Sequence, residues 1–219
     1  MGDGRMEIKF SKKLMEKFGK HVVKRKREWN LFEKVWYKLD WRNSKLINLQ
    51  EWFRKVSTEA IADEKFVKKV EFFNCVDDQN LRAVLILRYV HSLMTYKKDS
   101  DVWQVGEKWQ TPLETFRKTT GDCEDGAILI GAFFRWCDIP SEYWSIVCGS
   151  VQGGGHCWIN YVGEFDARTY HLDWCYWYSS KLIPDRKPYS DDTRYFTEWF
   201  GFNDKRSWKK VKKPSEMFK

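Results

Sequence analysis

Apolar residues recur every three or four positions along the first third of the chain. Phe10, Leu14 and Phe18, then Trp29, Phe32, Val35, Trp36 and Leu39, then Leu49, Trp52, Phe53 and Val56 each trace one face of a helix, so the stretch from Ile8 to about Phe73 predicts several amphipathic helices. Asp77 and Asp78 offer N-caps to a further helix from Asn80 to about Tyr96, in which Leu81, Val84, Leu85, Arg88 and His91 to Leu93 keep the same period. This helix is expected to be buried, with His91 a packing or surface histidine rather than a ligand. Thr111, Pro112 and Glu114 supply an N-cap, a proline at the first helical position and an acid at the third. That capping box starts a short helix ending near Lys118-Thr119-Thr120-Gly121. A second helix follows at once, because Ala127 to Phe134 is almost continuously apolar and the pattern runs through Trp136.

After Asp138-Ile139-Pro140 the texture changes. Tyr143–Cys148, His156–Val162 and Thr169–Tyr178 predict strands separated by glycine-containing turns, hence an antiparallel sheet packed on the apolar helix. Gly149 to Gly155 is expected to be a flexible connection whose glycines also permit close approach of a backbone or a substrate. The fold class is therefore α+β with an added N-terminal helical region. The expected organisation is a basic helical region over 1–80, a core over 81–204 and a basic tail over 205–219.

Charge sharpens this division. The 219 residues carry a net charge of +8, distributed as +8 over 1–50, −6 over 51–204 and +6 over 205–219. Lys24-Arg25-Lys26-Arg27 and Lys209-Lys210-Val211-Lys212-Lys213 are able to bind nucleic acid or another polyanion through phosphate contacts; a solvated helix face and a solubilising tail explain the same residues. No apolar run approaches the roughly 20 residues that span a bilayer, and no secretory signal precedes the first helix. Membrane insertion is not expected, and the chain is expected to stay in the cytoplasm. Cys75, Cys123, Cys137, Cys148, Cys157 and Cys175 form no CxxC pair, which argues against a zinc ribbon and for reduced thiols.

Cys123 stands in Gly121-Asp122-Cys123-Glu124-Asp125 at the start of the apolar helix, where unpaired N–H groups and the helix dipole favour a thiolate. It is the leading candidate nucleophile. His156 opens a strand after the glycine run, and Asp173 lies on the next. If those strands pair as a hairpin, the Asp173 carboxylate is able to orient the His156 imidazole as base for the thiol. His171 competes with His156 but has no evident carboxylate partner.

These residues carry a resemblance. Trp109-Gln110-Thr111-Pro112-Leu113-Glu114, Gly121-Asp122-Cys123-Glu124-Asp125-Gly126-Ala127, Gly155-His156-Cys157-Trp158 and Leu172-Asp173, in that order, resemble the transglutaminase-like cysteine hydrolase superfamily, above all its bacterial cysteine proteinases with their Gly-Asp-Cys-Glu-Asp pattern. The resemblance covers about residues 85–178. It implies a papain-like core with the cysteine helix packed on an antiparallel sheet, a Cys123, His156, Asp173 triad, and acyl transfer through a thioester. It implies a protein or peptide substrate, most simply a peptidase, with transglutaminase or deamidase activity as the close variant. No cofactor is required, although the calcium-dependent members imply Ca²⁺ at Asp122, Glu124 and Asp125; the same carboxylates also serve simply to cap the helix and complement its dipole.

For the oxyanion hole, Gln104 and Trp109 are the side-chain candidates, Trp103 a third, and the Cys123 backbone N–H the other half. Three departures from the familiar pattern stand out: residues 1–80 have no counterpart, the oxyanion donor is not fixed, and Asp173 is followed by Trp174-Cys175 instead of a small polar residue. The competing function class is a catalytically silent module that binds nucleic acid or a virion or protein assembly through the basic ends. A peptide N-glycanase is disfavoured by the absent CxxC pair.

Overall fold

The structure, a computed structural model, describes residues 48–102, 108–152, 154–175 and 181–209. The expected helices before residue 48, the basic run at Lys24–Arg27, Trp103, Gln104 and the tail beyond Lys209 lie outside the described residues. Five helices of seven residues or more are described: α1 (Leu49–Glu59), α2 (Glu64–Asn74), α3 (Gln79–Leu93), α4 (Pro112–Lys118) and α5 (Cys123–Trp136). The strands are β1 (Trp144–Val151), β2 (Gly154–Val162), β3 (Thr169–Leu172), β4 (Tyr195–Phe202) and β5 (Ser207–Lys209), in the spatial order β3-β2-β1-β4-β5 with every neighbour antiparallel.

Short polar side chains set the helix starts. Asn48, Asp63 and Asp78 accept from backbone N–H groups at the starts of α1, α2 and α3. In α4 both halves of the Thr111/Glu114 capping box form. The three-and-four spacing of Trp52, Phe53 and Val56 becomes the buried face of α1. In α3 the buried stripe is Asn80, Ala83, Val84, Ile86, Leu87 and Val90, so the expected stripe was rotated: Leu81 is exposed, and the helix stops at Leu93. Met94 is extended there, and Thr95–Tyr96 pair in parallel with Thr120–Gly121 just before α5.

α5 is the central element. Ile128, Leu129, Ile130, Phe133 and Phe134 are fully buried. Phe134 meets Trp144 of β1 and Tyr161 of β2 edge-on at 5.9 and 6.0 Å, while Gly131 lets the helix approach Ile146, whose Cδ1 lies 2.9 Å from where a Cβ would stand. On the other side, Phe66 of α2 stacks on Phe133 at 4.4 Å, and Phe53 of α1 meets Trp144 and Phe202 at 5.9 Å each. Helices on both sides of residue 80 thus share one core, each buried Phe worth about 1.5–3 kcal/mol of transfer free energy.

The sheet differs from expectation in two respects. β1 and β2 run through most of Gly149–Gly155, pairing Gly149 with His156 and Val151 with Gly154. Gly149 is needed because the β4 backbone crosses there: a Cβ would lie 2.1 Å from the Thr197 carbonyl oxygen. The third strand is shorter than expected, ending at Leu172. β4 and β5 were not anticipated, and β5 extends the order to Lys209 within the stretch expected to be tail. All six cysteines are free; Cys148 and Cys157 are cross-strand partners with sulfurs 3.2 Å apart. Among the described residues no helix is long and apolar enough to cross a membrane.

Candidate active site

The first turn of α5 is built from carboxylates with different duties. Asp125 is wholly buried and accepts from the Gln110 backbone N–H and side-chain Nε2, both at 2.7 Å, and from the Asp122 N–H at 3.3 Å. It pins the segment before α4 to the start of α5. Burial pushes its carboxyl up to about 8, with the neighbouring Asp122 and Asp99 carboxylates adding to the rise against the Gln110 hydrogen bonds. Gln110 and Asp99, which the sequence reading did not single out as site residues, are therefore part of this region.

Cys123 is the first residue of α5. Its thiol donates to Glu124 Oε2 at 3.2 Å. The helix dipole favours a thiolate here, but burial and the adjacent Glu124 and Asp122 carboxylates push the thiol well above its ordinary value. A helix end offers only about half a positive charge, which two full carboxylates outweigh.

The other two sequence candidates meet directly. His156 Nε2 donates to Asp173 Oδ2 at 2.6 Å, with both residues buried. Register accounts for the encounter: β2 and β3 pair Ile159 with Leu172, and Asp173 is the next residue along. Asp173 Oδ1 accepts from the Cys175 N–H at 2.9 Å, and Oδ2 accepts a second bond from Tyr195 Oη at 2.9 Å.

Trp174, an unexpected neighbour in the sequence, ties this aspartate to the cysteine helix. Its indole N–H donates to the Cys123 carbonyl at 3.2 Å, and its ring lies on Gly126, where a Cβ would come within 2.1 Å of Nε1. Its carbonyl accepts from His91 Nδ1 of α3 at 2.7 Å, giving His91 a packing duty. Trp158 and Trp174 are core residues, 1% and 3% exposed. Trp109 stacks on Phe200 and Phe202 at 6.3 and 5.9 Å, which gives its ring a packing role.

His171 does have a carboxylate. Its Nδ1 lies 3.4 Å from Asp192 Oδ2, and Arg194 clasps Asp192 through Nε at 2.6 Å and Nη2 at 2.5 Å. The partner comes from a segment 21 residues away that carried no motif. Burial pushes the imidazole down to about 4, and Asp192 only partly opposes this. Between pH 6.5 and 4 the unfolded chain thus binds a proton that the folded chain refuses, so stability falls as pH drops through that window. Urea unfolding at pH 7 and pH 4.5 is expected to show a loss from this group of about 2 kcal/mol, which His171→Asn removes; an equal loss in that variant would contradict the assignment.

Helices gathered on one antiparallel sheet, with a cysteine at the start of the central helix and a buried His–Asp pair at the strands, form an α+β core consistent with the papain-like, transglutaminase-like fold. The solved structures bear this out. Legionella pneumophila LapG matches with a TM-score of 0.53 and 15% identity over 76% of this chain and 92% of that one. LapG in its calcium-bound form matches with a TM-score of 0.52 and 16% identity over 72% and 87%, and EGTA-treated LapG with 0.53 and 16% over 72% and 84%. At such identity the likeness is one of fold. No family model matches the chain, and no curated protein does.

Proposed function

We propose that this protein is a cysteine-dependent hydrolase or acyltransferase acting on protein amide bonds, most simply a peptidase, with Cys123, His156 and Asp173 as its triad. The observation carrying this reading is the buried 2.6 Å contact between His156 Nε2 and Asp173 Oδ2, joined through Trp174 to the carbonyl of Cys123. The fold shared with LapG agrees with it.

The chemistry follows from which nitrogen is held. Asp173 accepts the hydrogen bond of Nε2–H and stays ionised, so the free Nδ1 of neutral His156 serves as the base. It removes the Cys123 proton, and the thiolate attacks the amide carbonyl. The Cys123 backbone N–H at the helix start is one donor for the developing oxyanion. The imidazolium then gives its proton to the leaving amine, and a thioester remains. Water, deprotonated by His156, releases the acid; an amine in place of water gives a crosslink, and a glutamine side chain as the amide gives deamidation.

In the resting geometry the thiol is bonded to Glu124, so it must turn to His156 before reacting. Unformed catalytic hydrogen bonds are common before substrate binds. The carboxylates around it suit a cation. Asp99, Asp122 and Asp125 bring one oxygen each within 4.8 Å of one another, Asp122 and Glu124 flank the thiol within the same distance, and Asp122 Oδ1 is buried with no hydrogen-bond partner among the described residues. This oxygen-rich set fits Ca²⁺, with Asp99, Asp122 and Asp125 as holders and Glu124 beside them. Calcium bound there would supply positive charge that offsets the carboxylates next to the thiol. The sequence-derived set lacked Asp99.

Alkylation by iodoacetamide, followed at each cysteine by peptide mapping, tests this reading. Exposed Cys75 is an internal reference. Cys123 is expected to outpace Cys75 in calcium, to slow about tenfold in EGTA, one unit of thiol pKa being a factor of ten in thiolate, and to lose its advantage in His156→Ala. A Cys123 no faster than Cys75 under every condition would remove the thiolate–imidazole pair; equal rates in calcium and EGTA would remove calcium alone.

A further inference from the structure

Asp173 accepts more than a triad aspartate needs in order to orient its histidine. Oδ2, the oxygen that accepts the His156 Nε2–H bond, also accepts from the Tyr195 hydroxyl at 2.9 Å. Tyr195 is the first residue of β4, on the far side of β1 from β2 in the strand order, and it reaches the aspartate over a separation of 22 residues.

Its ring is held by the second histidine–aspartate pair. The Tyr195 ring centroid is 3.9 Å from that of His171 and 4.8 Å from that of Trp158. His171 is in turn fixed by Asp192, which Arg194 clasps from the residue before Tyr195. Tyr189 closes on the same imidazole at 5.0 Å. The His171–Asp192–Arg194 cluster therefore has no nucleophile to serve among its described contacts. What it packs against is Tyr195, the side chain from β4 that donates into the Asp173 carboxylate.

We infer that Tyr195 is a positioning residue of the active site, fixing the Asp173 carboxylate so that the His156 ring stays in the plane from which Nδ1 meets the thiol. The inference rests on the catalytic reading above but has a structural content of its own. Cys175 N–H holds Oδ1, and Tyr195 and His156 both hold Oδ2. The third donor restrains rocking of the carboxylate about its Cβ–Cγ bond, and so restrains the imidazole bonded to it. Side-chain networks of this kind couple their members more strongly than isolated pairs.

Tyr195→Phe deletes one oxygen and keeps the ring, so the packing on His171 and Trp158 survives. The probe is 4-nitrophenyl acetate, an activated acyl donor that needs no specificity site, turned over by the wild type, Tyr195→Phe and His156→Ala. The expected result for Tyr195→Phe is kcat about 10-fold lower with KM unchanged, as befits loss of a hydrogen bond to a charged acceptor, with the melting temperature lowered only by the few degrees that one such bond is worth. Proton NMR supplies the second readout: the far-downfield N–H signal of the His156–Asp173 bond is expected to shift or broaden in this variant. A purely structural role would lower the melting temperature while leaving kcat and the signal in place. Wild-type kcat together with a wild-type signal overturns the inference. If the wild type turns over no faster than His156→Ala, the catalytic reading fails, and the signal alone then decides: moved, Tyr195 still governs the aspartate; unmoved, the inference falls as well.

Discussion

Cys123→Ala is expected to abolish turnover, by at least about 10⁴-fold against any substrate the wild type accepts, because nucleophile and base act as one unit and neither replaces the other. The fold is expected to survive. The side chain is small, the helix start keeps its anchorage through Asp125 and Gln110, and among the described residues the thiol makes a single hydrogen bond, to Glu124. Removing it leaves Glu124 one donor short, at a cost of about 1 kcal/mol. Circular dichroism and thermal melting check the fold, and turnover of a peptide or activated ester checks the activity. Turnover retained in this variant would remove Cys123 from the mechanism, whatever Cys175 or Cys157 contribute nearby.

The second large effect is expected at a residue with no chemistry. Gly126 lies in the second turn of α5, where glycine costs about 1 kcal/mol relative to alanine in an ordinary helix. On propensity alone Gly126→Ala would stabilise the protein. Here the added Cβ would meet the Trp174 indole at 2.1 to 2.5 Å over three ring atoms. That ring is buried and bonded to the Cys123 carbonyl, so it has no cheap way out. The substitution is expected to destabilise by about 1–3 kcal/mol, the usual cost of overpacking, and to lower kcat by about 10²-fold, since shifting Trp174 shifts the preceding Asp173 by a good fraction of an ångström. Adding Trp174→Ala to Gly126→Ala is expected to recover part of the stability and none of the rate, because the clash and the tether disappear together. A stabilised and fully active Gly126→Ala would show that Trp174 does not tie the aspartate to the nucleophile helix.

The helical half was legible because its signals are local. Asn48, Asp63, Asp78 and Thr111 stand where helices start, and a period of three to four survives in any window of the sequence. The phase of that period was less secure. In α3 the run over residues 83–87 is apolar at every position and so covers all sides of the helix, which left open whether Leu81 or Ala83 faces inward, and packing chose the smaller residue. β4 and β5 were missed because Thr197 and Glu198 break the apolar alternation of a strand whose first half borders the sheet's exposed face. Cys123, His156 and Asp173 were nameable from spacing and resemblance, whereas Gln110, Asp99, Tyr195 and Asp192 were not. Each of these four acts through a partner at least 9 residues away, and only Gln110 lies in a motif, where nothing local marks its side chain as a partner of Asp125.

What the sequence determined by itself is the α+β division, the helix that begins at Cys123, and the order of a thiol, an imidazole and a carboxylate. All of these are written in short-range patterns, where neighbouring side chains and caps decide the local backbone. The pairing of His156 with Asp173, which the sequence offered only on condition that the strands form a hairpin, took its geometry from the tertiary structure, which gives His171 a different carboxylate in Asp192. It decided that Trp174 rather than a small polar residue is accommodated, because Gly126 opens space on a helix 48 residues earlier. It also decided the resting state of the thiol, since burial and two carboxylates act through space and outweigh the helix dipole. Electrostatics and packing depend on distance in three dimensions, and sequence separation carries almost none of that information.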